Sequence, residues 1–64
     1  MISPTDQLRA EAEARVVAAQ RAVERQKKIA ATYRKRGIDA RDAEERLNQL
    51  EGVLARFEKE RAKT

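Results

Sequence analysis

The chain has 64 residues and a net charge of +4, with 41% charged residues, 3% aromatics, no cysteine and no histidine. Those absences exclude a disulfide framework and a thiolate metal site, and they remove the usual general base. Ser3 is the only serine, so nucleophilic dyads and triads lack parts, and neither an enzyme nor a cofactor is expected.

Alanine, glutamate, arginine and lysine dominate, as in long helices and coiled coils. No apolar run approaches the roughly 20 residues that span a bilayer. Met1-Ile2-Ser3-Pro4 lacks the basic and apolar regions of a signal peptide. The expectation is a complete, small, cytoplasmic protein with one domain over residues 1–64 and no membrane association. The charge is uneven. Residues 1–36 hold nine basic and four acidic residues, whereas residues 37–64 hold six and seven.

The first helix is predicted over about residues 4–36. Ser3 supplies a capping hydroxyl, Pro4 suits the first helical position, and Asp6 stands three residues after the cap. No glycine or proline follows before Gly37. The run is about 33 residues, or roughly 50 Å. Arg34, Lys35 and Arg36 fall in the last turn, where the helix dipole favours positive charge.

Arg36-Gly37-Ile38-Asp39 then stops one helix and starts another. Gly37 can take the left-handed conformation that ends a helix, and Asp39 can cap the next. The turn is predicted over residues 37–39 and the second helix over about 40–63. So tight a turn folds the second helix back on the first, giving an all-α, antiparallel two-helix hairpin. The first dozen residues of helix 1 should project past the end of helix 2.

Helix 2 carries a heptad seam of Ala43, Leu47, Leu50, Leu54, Phe57 and Arg61. Helix 1 offers Ala12, Val16, Ala19, Val23, Gln26, Ala30 and Tyr33. Folding about Gly37-Ile38 faces Tyr33 with Leu47, Ala30 with Leu50, Gln26 with Leu54, and Val23 with Phe57. On one flank Gln20, Lys27 and Arg34 oppose Glu58, Glu51 and Glu44, a ladder that specifies register more than it stabilises. On the other flank Ala22, Ile29 and Val53 widen the apolar stripe. A lone hairpin leaves that flank wet, and chains this small commonly gain stability by oligomerising. The expected product is a homodimer forming a four-helix bundle through Ala22, Ile29 and Val53. Gln26 either reaches solvent or bonds across the dimer axis, where a polar residue fixes the oligomer state.

Two surfaces remain for other partners. The first is a small-residue strip on the projecting N-terminal part of helix 1, with Leu8, Val17 and Ala18 as docking residues for another helix, from the same protein or a partner. Its plainer reading is the high helix propensity of alanine. The second is a basic ridge of Arg21, Arg25, Lys28 and Lys35, a candidate contact for a nucleic-acid backbone. Charge on an exposed helix face is also ordinary, and no aromatics interleave for base stacking. Gly52 falls mid-helix on the outward face of helix 2; it is either tolerated or admits another backbone.

Val23-Glu24-Arg25-Gln26, Tyr33 to Asp39, and the Leu47, Leu50, Leu54, Phe57 series resemble a family of short bacterial hairpin proteins. The shared pattern is V-x-R-Q, a basic helix end, R-G-x-D, then spaced leucines, covering residues 23–57. The resemblance implies the hairpin fold and no activity. In length and architecture alone the chain is similar to the repressor-of-primer type of dimeric helical hairpin, which binds paired RNA loops; its turn position and helix sequences differ.

Overall fold

The computed structural model describes residues 3–63. Met1 and Ile2, on which the signal-peptide reading partly rests, and Thr64, the last residue of the expected domain, lie outside them.

The architecture is two α-helices packed against each other. Helix α1 runs Pro4–Lys35 and α2 runs Arg41–Lys63. The Ser3 hydroxyl accepts the Asp6 amide at 3.2 Å, which makes Ser3 the N-cap of α1. At the other end Gly37 takes φ +72°. The Gly37 N–H donates to the Arg34 carbonyl at 3.2 Å and the Ile38 N–H to the Tyr33 carbonyl at 2.8 Å. This pair of bonds is the Schellman closure, which ties off carbonyls that the helix end leaves unpaired.

Helix α2 begins one residue later than expected. Asp39 Oδ1 accepts the Arg41 amide at 2.9 Å, while the Ala40 carbonyl takes the first helical amide, from Glu44, at 2.8 Å. Asp39 thus closes an Asx turn leading into the helix, and Ala40 occupies the cap. Ala40 is buried, a core position that the sequence reading did not include.

The seam residues of α1 are those expected, except Tyr33. Ala12, Val16, Ala19, Val23, Gln26 and Ala30 are buried, Val16 completely. On α2 only Ala43 is buried, while Leu47, Leu50, Leu54 and Phe57 are half-buried. The innermost layer is therefore made of small side chains, with the bulky ones of α2 standing at its edges.

The pairing register differs from the expected one. That register faces Gln26 with Leu54 and carries Arg61 to Ala19. In the structure Gln26 reaches the Ala43 carbonyl, and Arg61 reaches the Glu13 carboxylate. Sliding α2 toward the N terminus of α1 by one heptad, about 10 Å, accounts for both. The physical reason lies at the turn. The expected register leaves Ala40 and Ala43 beyond the end of α1 with nothing to pack on, whereas the slide covers both.

Two further corrections follow. Tyr33 leaves the seam and is 38% exposed, because no turn of α2 remains opposite it. The projection of α1 is shorter than a dozen residues, since residues 3–11 are exposed but Ala12 and Val16 are buried.

Candidate interaction surface

The two flanks of the seam have different chemistry. On the charged flank, Arg34 Nε donates to Glu44 Oε1 at 2.6 Å, one rung of the expected ladder. Arg61 and Glu13 close the far end at 3.3 Å. The Lys27–Glu51 rung is not made; Lys27 turns instead to Glu24 on its own helix, at 3.6 Å. Sliding the register moved Glu51 away from Lys27, and only the long Arg34 side chain still spans to its expected partner.

The opposite flank is open. Ala22 and Val53 are half-buried, and Ile29 is 42% exposed. Ala22, Arg25, Gln26, Ile29 and Arg46 line one shallow depression. Lys28, Ile29, Thr32 and Tyr33 line the next, so Ile29 is the wall common to both. Arg46 was missed at the sequence level. Its place seven residues before Val53 is the signal, since both then fall on the same side of α2.

Gln26 forms the floor of the first depression, but its amide does not face outward. Nε2 donates to the Ala43 carbonyl at 3.1 Å, inside the hairpin. The Nε2 donor is thereby satisfied by a main-chain carbonyl of the same chain.

The candidate docking residues are dispersed. Leu8 stands in the projecting turns of α1 and is 57% exposed. Val17 and Ala18 lie alongside α2, Val17 half-buried and Ala18 exposed. Val17 sits in an outward groove with Gln20, Arg21, Glu24 and Arg25. The ridge residues Arg21, Arg25, Lys28 and Lys35 are all exposed. Among the described residues none of them enters an ion pair.

No group of metal-ligating side chains is assembled among the described residues. No helix of the described residues is long and apolar enough to cross a membrane. Comparison with family models, with curated proteins and with solved structures finds no match.

Proposed function

We propose that this chain is a non-catalytic, cytoplasmic interaction module that works as a homodimer, two hairpins closing into a four-helix bundle. The observation that supports the reading is the open flank. Ile29 and the half-buried Ala22 and Val53 are apolar side chains left partly open beside a seam whose bulky leucines are themselves half-open. Covering them stabilises the fold and creates a larger surface. The outward groove at Val17 is then left free for a helix from another protein.

Sedimentation equilibrium tests this. The expected species is a dimer in the micromolar range, shifted toward monomer by Val53→Asp. A monomer at every concentration overturns the reading.

A second reading rests on the unpaired basic ridge of Arg21, Arg25, Lys28 and Lys35. Backbone phosphates would be held along it, with affinity falling steeply as salt rises. Titration into duplex DNA and structured RNA at low and physiological salt decides this. Binding that persists at physiological salt and is lost on reversing Arg21 and Lys28 supports it; binding confined to low salt overturns it.

A further inference from the structure

We infer that the second copy lies antiparallel on the open flank, with its Leu8 seated in the depression of Lys28, Ile29, Thr32 and Tyr33. This inference rests on the self-association reading and adds a direction and a contact to it.

The first argument is register. Leu8, Arg15, Ala22 and Ile29 follow one another at intervals of seven residues. Because α1 keeps a seven-residue seam against α2, residues so spaced stay on one side of it. Leu8 and Ile29 are thus two exposed apolar side chains on the same flank, about 31 Å apart along the helix. A two-fold axis across α1 between Ala18 and Ala19 exchanges them. That axis falls within about one residue of the midpoint of Pro4–Lys35, so the two hairpins overlap along nearly their whole 53 Å length. Ala18 lies at the axis, where the helices approach most closely and a short interaxial distance requires a small residue, and Ala22 comes opposite Arg15 of the second copy, its small side chain leaving room for the long one to reach solvent.

The second argument is charge. Residues 3–14 carry three acidic groups and one basic, whereas residues 25–36 carry six basic and no acidic. A parallel pairing sets basic turn ends against each other. An antiparallel pairing sets the acidic end of one copy on the basic end of the other, with Glu11 arriving beside Arg25 and Arg46. Arrangements of like charge are penalised and opposite charge fixes orientation.

The third argument is area. A compact protein of 7.3 kDa exposes about 4,200 Å². This chain exposes 5337 Å². The excess, about 1,100 Å², exceeds the roughly 800 Å² per partner of a standard stable interface.

The absence of cysteine makes the test direct. Leu8→Cys and Ile29→Cys variants are mixed and oxidised, since a disulfide forms only where the Cα atoms come within about 7 Å. The expected product is the mixed cross-link between the two variants. Cross-links only between like variants, or none while the native chain sediments as a dimer, overturn the orientation and leave self-association standing. A native chain that is monomeric at about 100 µM overturns both.

A charge exchange checks the result without altering the apolar contact. Glu11→Lys and Arg25→Glu should each weaken the dimer about tenfold, and an equal mixture should recover it as a heterodimer. An unrecovered mixture overturns the antiparallel arrangement.

Discussion

Gln26 and Ala43 are joined by a hydrogen bond of 3.1 Å from the side-chain amide of one helix to the main-chain carbonyl of the other. That carbonyl lies within α2, so the bond adds a cross-helix tie at one point of the seam. Replacing Gln26 by glutamate keeps the shape and removes the N–H. The carboxylate would then face a carbonyl in a buried position. Gln26→Glu should destabilise the hairpin by about 1–3 kcal/mol, measured by urea unfolding at neutral pH. Gln26→Leu should lie within about 1 kcal/mol of the native chain, because it removes the buried polar group along with its bond.

Gly52 offers a gain rather than a loss. A methyl group added there meets nothing within 4 Å. Gly52→Ala should stabilise the chain by about 1 kcal/mol through helix propensity, seen as a higher midpoint of thermal unfolding. Unchanged self-association in the same variant would show that no second backbone packs against this face.

Gly37 makes the opposite case. Its φ of +72° lies in the region that side chains disfavour. Gly37→Ala should cost about 1–2 kcal/mol, and Gly37→Asn distinctly less, because asparagine visits that region more readily. Chemical denaturation of the three chains gives the order directly.

The charged flank should matter little to stability. Arg34–Glu44 and Glu13–Arg61 are both partly exposed. A double-mutant cycle on each should return about 0.2–1 kcal/mol, diminishing in high salt. A value well above that range would place either pair in a drier setting than the exposed one described.

Much of the fold is legible in the residues themselves. Ser3-Pro4, Gly37 and Asp39 act locally, so the helix ends follow from side-chain and backbone preferences within a few residues. The α1 seam is legible for the same reason, since a period in one helix needs no knowledge of the other. The register is not local. It depends on which alanines near the turn gain cover, a balance between Ala40 and Ala43 at one end and Ala12 and Val16 at the other. Arg46 was hidden for a related reason: its neighbours Ala22 and Ile29 lie on the other helix, and only the slid register brings them beside it. Gln26 shows the limit most plainly, because its partner is a main-chain carbonyl, which every residue carries and no sequence pattern marks.

The described residues form two helices with a single seam between them, and the narrowest dimension is 12 Å. Within one hairpin, the described residues supply no second layer on which either helix could rest if the other lifted away. Larger proteins open in pieces, with amides near an edge exchanging long before those in the centre. Here the projecting turns over residues 3–11 can fray alone, but no part of the seam itself can open while the rest holds. Amide hydrogens along the middle of both helices should therefore exchange at one common rate, set by the separation of the whole seam, and anything that clamps the seam should slow all of them together.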